Sequence, residues 1–523
     1  MPSLSRLSRD LSSSIGFTST EYGFLAILLL STIIAYSKRK RPNYPPGPKG
    51  WPIVGSALEL DPGRPWIKLG EWSKQYGPLM MVNNFGAPFI IIGSAKVARD
   101  LLVKRANVTS DRPRQVMADE LISDKTNPAL ARTSYGDNMR KQRRVLNDQL
   151  RPQVVNTVGQ EVELQECKAL LRGIIKTPSS FEQEIHRFSA SLMLNLIYDH
   201  FAASMDDPVV VKIVVSMQRL FGAFVPGAYL VDLFPALRFV PSWFPGADFK
   251  RKAKAWRKED QQLYTELYDD VEDRLKINSA RACLVSKMQE TQSKTGLSRL
   301  EMSCIAGSLF AAGTDTTGAS ILIWVVAMLH FPEVLKKAQA EIDAVVGRER
   351  APNFQDRAQL PYINAMVREN WRWRAAAPGS LPHRLEQDEI YEGYFLPKGS
   401  TVVALVHEMN NDAEAFSEPG QFRPERFLKE DGTVNHDLEI YTFGHGRRVC
   451  PGYNLADASL FITISNLAWA FNIETPIDEK KKPILPDLDP ARWLASAASG
   501  PCHFEARFTP RFPGVTDIIA KDD

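Results

Sequence analysis

The stretch from Ser298 to His330 limits this chain more than any other. Glu301 follows Ser298 at the spacing that lets each side chain satisfy the other's free backbone N–H at a helix start, and Pro332 follows the stop at His330-Phe331. The spacing predicts one helix of roughly 50 Å at 1.5 Å per residue. It is apolar enough to pass for a transmembrane span, except that Thr314-Asp315-Thr316-Thr317 lies at its middle. An ionisable group at the centre of a bilayer costs several kcal/mol, so a helix threaded through a folded core is the better expectation. A carboxylate is costly in such a core as well, which marks Asp315 as a candidate functional group. A chain of 523 residues, 44% hydrophobic and 24% charged, is large enough to enclose such a helix, and a net charge of +3 gives no reason to expect a nucleic-acid partner.

Four segments follow from composition: a tail (1–21), an apolar segment (22–37), a basic and proline-rich linker (38–54) and one catalytic unit (55–523). Tyr22 to Ser37 carries no charge and is followed at once by Lys38, Arg39, Lys40 and Arg41. It reads as a single-pass membrane anchor with the rest of the chain in the cytosol; the rival is a cleaved signal peptide, which usually has its basic residues ahead of the apolar run. Within the large unit, Leu79–Asn83 and Phe89–Ile92 are strand candidates and the later parts are mainly helical. Phe221 to Trp243, rich in aromatics and proline, can lie on a membrane, roof a pocket or simply form core loops.

Cys167, Cys283, Cys304, Cys450 and Cys502 are odd in number and widely spaced, which argues against a disulfide framework and for a reducing compartment. Four of them read as small buried hydrophobes. Cys450 differs. It lies in Phe443-Gly444-His445-Gly446-Arg447-Arg448-Val449-Cys450-Pro451-Gly452, ahead of an apolar helical pattern from Leu455. Glycines there let backbone approach a large flat ligand, and the next helix start aims N–H groups at the sulfur, favouring a thiolate that can bind iron. Arg448 can meet an anionic group at the ligand's edge. A zinc site at Cys450 and His445 lacks two further ligands.

This loop resembles that of the cytochrome P450 monooxygenases, F-x-x-G-x-R-x-C-x-G, through Phe443, Gly446, Arg448, Cys450 and Gly452. Glu369 and Arg372, three apart on an apparent helix, resemble the family's E-x-x-R, and Phe422-Arg423-Pro424-Glu425-Arg426-Phe427 its P-E-R-F stretch. Alone the first pair reads as a surface ion pair; with the second segment, resemblance implies a buried network of Glu369, Arg372 and Arg426. Ala312 to Thr317 is similar to the family's A/G-G-x-D/E-T-T/S. The glycine at Gly313 is expected to leave room for dioxygen. Resemblance further implies that Thr316 donates to bound oxygen while Asp315 feeds protons inward, although a back-bond to the preceding turn is an equal reading of the threonine.

The family resemblance implies a mainly α fold with a smaller β region, preceded here by the N-terminal transmembrane helix. It also implies haem b ligated by Cys450, with cationic partners for its propionates at Arg448, Arg143 and His383. Met139 stands where the family commonly has tryptophan, and a solvated basic helix face is the alternative for residues 140–144. Substrate-lining segments are implied near Val116–Ile122, Phe221–Leu230, Ala375–Leu381 and Leu494–Ser499. No Gly-rich dinucleotide motif follows a strand, so electrons are expected from an NADPH-dependent flavoprotein reductase. The sequence resembles fungal members that oxidise lipophilic secondary metabolites from the endoplasmic reticulum membrane. Two alternatives stand beside a monooxygenase: a reductase-independent isomerase or dehydratase acting on a peroxide, and a non-catalytic haem carrier or sensor.

Overall fold

The computed structural model describes residues 42–123, 130–225, 227–494 and 498–521, so the anchor segment 22–37 lies outside the described residues. The chain divides into two compact units, 1–44 with 390–395, and 45–389 with 396–523. In the first, the Asn43 side-chain amide donates to Gly393 O at 3.0 Å and the Tyr44 and Phe395 rings lie 5.9 Å apart. The second unit holds every site residue described below.

Its main helices are α1 (Asp137–Gln149), α2 (Gln160–Lys176), α3 (Phe181–Tyr198), α4 (Asp248–Lys276), α5 (Arg299–His330), α6 (Pro361–Trp373) and α7 (Tyr453–Ala470). The long helix expected from Ser298 is α5. Ser298 caps it, accepting from the Glu301 N–H, and the Glu301 carboxylate accepts from the Ser298 N–H at 2.8 Å. Helix α5 packs on α3, α4 and α7, and residues Ile321 to Met328 on its C-terminal half are almost wholly buried. Among the described residues it is the one helix long and apolar enough to cross a membrane, but 61% of its most apolar window is buried by the rest of the chain, as a core helix requires. Its neighbours come close where it carries small residues. A Cβ on Gly307 would stand 2.3 Å from the Tyr264 ring of α4, so glycine is what admits that ring.

A four-stranded sheet is built from β1 (Leu79–Asn84), β2 (Ala87–Ile92), β3 (His383–Arg384) and β4 (Thr401–Ala404), in the order β1-β2-β4-β3. Phe85 and Gly86, both at positive φ (50° and 81°), turn β1 into β2, the paired left-handed geometry that suits a two-residue hairpin. β2 and β4 run parallel, Phe89 opposite Thr401 and Ile92 opposite Ala404. A separate pair, β5 (Phe471–Glu474) and β6 (Arg507–Pro510), is antiparallel. The fold is therefore mainly helical with a small β part, as expected. The cysteine reading needs one correction: Cys167, Cys283 and Cys304 are buried, but Cys502 is exposed, on a segment among loops where it donates to Arg492 O.

Candidate active site

The Cys450 loop owes its shape to two glycines in the left-handed region, Gly444 (φ 77°) and Gly446 (φ 54°). A Cβ on Gly446 would stand 2.2 Å from Leu102 O, so no other residue fits there. The Cys450 N–H closes the loop on Phe443 O at 2.8 Å, and the Phe443 ring is held edge-on by Trp371 of α6 (4.9 Å) and Tyr453 of α7 (4.8 Å). Cys450 is surrounded by protein yet keeps accessible surface, so its sulfur fronts a cavity instead of packing into the core. Burial pushes the thiol above its ordinary pKa, while the Gly452 N–H and the Arg143 guanidinium pull it down and lose. That corrects the expectation of a thiolate made by the loop alone. Coordination to a metal deprotonates a thiol that its surroundings leave protonated.

Beside this loop lies a surplus of buried cations. Arg448 donates to Ser110 O (2.8 Å) and Thr133 O (2.7 Å), and burial lowers its pKa to about 10. Arg143, on α1, donates to Val449 O, while Met139 one turn earlier is buried in the core. Arg112, which no sequence pattern singled out, donates to Ala131 O (2.8 Å), Leu381 O (2.9 Å) and Pro382 O (2.7 Å). Burial and the neighbouring Arg448, Arg132 and Arg143 hold its pKa well below the usual value. The carboxylate that acts on both Arg112 and Arg448 is Asp111, itself paired with Arg384. His383, on β3, bonds Thr109 O through Nδ1 at 2.8 Å, and burial with Arg112 nearby lowers its pKa to about 3. It is thus a neutral N–H donor near pH 7, not the cation the sequence suggested.

On α5, Ala312 and Thr316 keep accessible surface one turn apart in the middle of a core helix, which makes them cavity wall. The Thr316 hydroxyl donates to Ala312 O at 2.8 Å, the intrahelical back-bond. Asp315 is half-buried; burial raises its pKa and His186 of α3 opposes that rise. Gly313 faces α3, where a Cβ would stand 2.4 Å from Met193 Sδ, so its bareness admits a neighbouring side chain and not dioxygen. The error has a simple cause: successive helical residues point ~100° apart, which sends position 313 away from the wall made by 312 and 316. The four implied lining segments come together in pairs. Ala319, Ala376 and Ala498 cluster, and the Ser499 N–H donates to Ala376 O at 2.8 Å. Val116, Met117 and Ile122 pack with Ala223 and Phe224. Residues 226 and 495–497 lie outside the described residues. A cleft of about 300 Å³, lined by Glu161, Asn195, Asp199 and Arg281 among others, shares no residue with this site.

Behind the loop, Glu369 accepts from Arg372 Nε (2.7 Å) and Nη2 (2.8 Å), from Arg426 Nε (3.1 Å) and from the Arg423 N–H (2.8 Å). Arg372 also donates to Asn410 O (3.0 Å), Pro419 O (3.0 Å) and Gln421 O (3.2 Å). Among the described residues no group of three or more His, Cys, Asp or Glu could hold a bare metal ion. An accessible thiol, a glycine loop and a cation surplus fit instead a metal carried by an anionic organic group.

The sequence profile of the family described as Cytochrome P450 matches residues 45–492. Cytochrome P450 monooxygenase 58 of Postia placenta is 37% identical over 503 residues, covering 94% of this chain and 93% of the relative. A cytochrome P450 monooxygenase of Armillaria gallica is 36% identical, covering 95% of each chain. Cytochrome P450 monooxygenase COX2 of Coprinopsis cinerea is 37% identical over 495 residues, covering 93% of each.

Proposed function

Because this chain belongs to the cytochrome P450 family and is a haem-dependent monooxygenase, we propose that it oxidises a lipophilic small molecule with dioxygen and with electrons passed from NADPH by a separate flavoprotein reductase. The observation that carries the reading is the accessible Cys450 thiol beside buried, under-neutralised guanidinium groups.

In this reading Cys450 is the protein ligand of haem b, and the bound haem supplies dioxygen activation. Arg112, Arg448 and Arg143 neutralise the two propionates, and His383, whose one N–H is held by Thr109 O, adds no charge to the group. Arg112 and Arg448 are already desolvated and oriented by backbone carbonyls, so they bind anions without reorganising. Glu369, Arg372 and Arg426 hold the backbone of 410–421 under the loop. Across the cavity, the Thr316 hydroxyl presents a donor that leaves Ala312 O by a rotamer change, and Asp315, whose burial favours the protonated form, supplies protons to it through water.

The apolar substrate lies between the wall of α5 and the paired segments around Ala376 and Val116. Residues 55–523 are the catalytic unit, and residues 22–37 hold it to the cytosolic face of the endoplasmic reticulum. Leu230 (63% exposed), Phe234, Phe239 and Trp243 (78% exposed) support a second contact of this unit with lipid, since a soluble surface rarely strings such side chains together. A substrate from secondary metabolism is the expectation carried by the resemblance of the sequence to fungal family members.

The test is expression in microsomes with a reductase, NADPH and a lipophilic metabolite extract, with products read by mass. Products heavier by one oxygen atom that need NADPH are expected. Products of unchanged mass, formed without NADPH, would overturn the reading in favour of peroxide rearrangement.

A further inference from the structure

Helices α3 and α5 lie side by side, and one imidazole sits at their contact. A Cβ on Gly318 of α5 would stand 3.0 Å from Ser189 Oγ and 3.5 Å from His186 Nδ1, which places the His186 ring within contact distance of α5 at this residue. Asp315 precedes Gly318 by three residues and so shares its face. Among the ionisable groups of the described residues, His186 is the one whose charge bears on Asp315, and Asp315 and Glu182 are those whose charges bear on His186. Glu182 lies one turn back on α3. Its Oε2 is 2.6 Å from His503 Nδ1 and its Oε1 accepts from the Phe504 N–H at 3.1 Å. The His503 side chain is 77% exposed, and Glu505 is the other acidic group bearing on it. Ionisable groups therefore step from solvent to the centre of α5: His503, Glu182, His186, Asp315.

We propose that His186 is a positioning residue that orients Asp315 and returns protons to it, drawing them from solvent through Glu182 and His503. When Asp315 gives its proton to the cavity, the carboxylate takes one from protonated His186. Glu182, a carboxylate at rest, takes one from the His503 imidazolium and passes it to the neutral imidazole, and His503 recovers one from water. No electron moves and each group ends as it began. Two features of the environment suit this. Burial raises the pKa of Asp315 and lowers that of His186, bringing their proton affinities together, and Glu182 raises that of His503, keeping the entry point charged. His186 also keeps accessible surface, so water can bridge any gap in the row.

The inference rests on Asp315 being the proton donor of the reaction, so the experiment carries an Asp315→Asn arm. It uses the full-length, haem-loaded protein with its reductase, comparing wild type with His186→Gln, His503→Gln and Asp315→Asn. An unchanged carbon monoxide difference band shows that each variant is folded. In the ferric protein, the Asp315 carboxyl is titrated by infrared spectroscopy, its band identified by loss in Asp315→Asn. With His186→Gln its midpoint moves to higher pH, because the cation that favoured the carboxylate is gone. In reductase-driven NADPH oxidation without added substrate, His186→Gln lowers the yield of water relative to hydrogen peroxide about tenfold and enlarges the solvent deuterium effect. His503→Gln, far from the cavity, lowers the same yield and shifts its pH profile. An Asp315 titration and a water yield unchanged in His186→Gln, with the yield unchanged in His503→Gln, overturn the relay while an Asp315→Asn defect leaves the donor reading standing. A wild-type water yield in Asp315→Asn overturns both.

Discussion

Replacing Glu369 by Gln should be the most damaging single change of a charged residue outside the cavity. Its side chain and that of Arg372 are both 0% exposed, and that of Arg426 only 5%. Among the described residues this carboxylate is the one anion paired with both buried guanidinium groups, and it accepts four hydrogen bonds within 3.1 Å. Removing one partner of a buried ion pair typically costs about 3–5 kcal/mol, because the charges left behind are desolvated and unpaired. Against a total stability of about 5–15 kcal/mol this is a third or more, enough to lower the yield of folded holoprotein sharply. The assay is urea unfolding followed by tryptophan fluorescence and by haem release. Arg426→Gln, which removes a single 3.1 Å bond to Glu369, is expected to cost less. The apolar pair Glu369→Met with Arg372→Leu separates two explanations. If mutual charge compensation were the whole story, the pair would be close to neutral. Arg372 also supports three backbone carbonyls between Asn410 and Gln421, so the pair should stay well below wild type. A Glu369→Gln loss under about 1 kcal/mol, or full stability in the double variant, refutes the reasoning.

Cys450→Ala should abolish the carbon monoxide difference band of thiolate-bound haem; an unchanged band sinks the ligand assignment. Arg112→Leu should weaken haem retention by roughly 10–100-fold, the value of one charge-assisted hydrogen bond of about 1.5–3 kcal/mol, as measured by haem transfer to apomyoglobin. Gly313→Ala should cost about 1–3 kcal/mol by overpacking, and Met193→Ala in the same chain should relieve it. Glu163 is buried with one oxygen on Ser459 Oγ at 2.7 Å and the other without a partner, and burial raises its pKa from 4.5 to about 8. The folded state therefore holds this proton more tightly than the unfolded chain. That contribution is full below the unfolded value of 4.5 and is lost, at up to about 1.4 kcal/mol per pH unit, as pH rises to about 8. Glu163→Gln should flatten thermal stability across that window; an identical pH slope in the variant counts against it.

Features written in local spacing were legible from sequence. The cap of α5, the paired strands at 79–92 and the glycines around Cys450 depend on neighbours a few residues away. Glu369 and Arg372 are of the same kind, and Arg426 was found only because a second motif lay downstream. What escaped depends on distant partners. Gly313 was misjudged because Met193, the side chain it admits, is on another helix. Arg112 sits in a loop with no periodicity, and its burial arises from residues near 131 and 381. The protonation states of His383 and Cys450 were set by burial, which no spacing shows, and the contact of His186 with α5 follows from how two helices cross.

The parallel pairing of β2 with β4 has a temporal meaning. A ribosome delivers residues 89–92 and all of α5 long before residues 401–404, and the Cys450 loop later still. Gly446 closes on Leu102 O, so the nascent loop must find a surface made early in synthesis. Contacts this remote in sequence form slowly, and the side of α5 that packs on α7 stays uncovered until residues 453–470 arrive. Completion of the Cys450 loop is thus a late event in the birth of this enzyme, set by how far Gly446 lies from Leu102 along the chain.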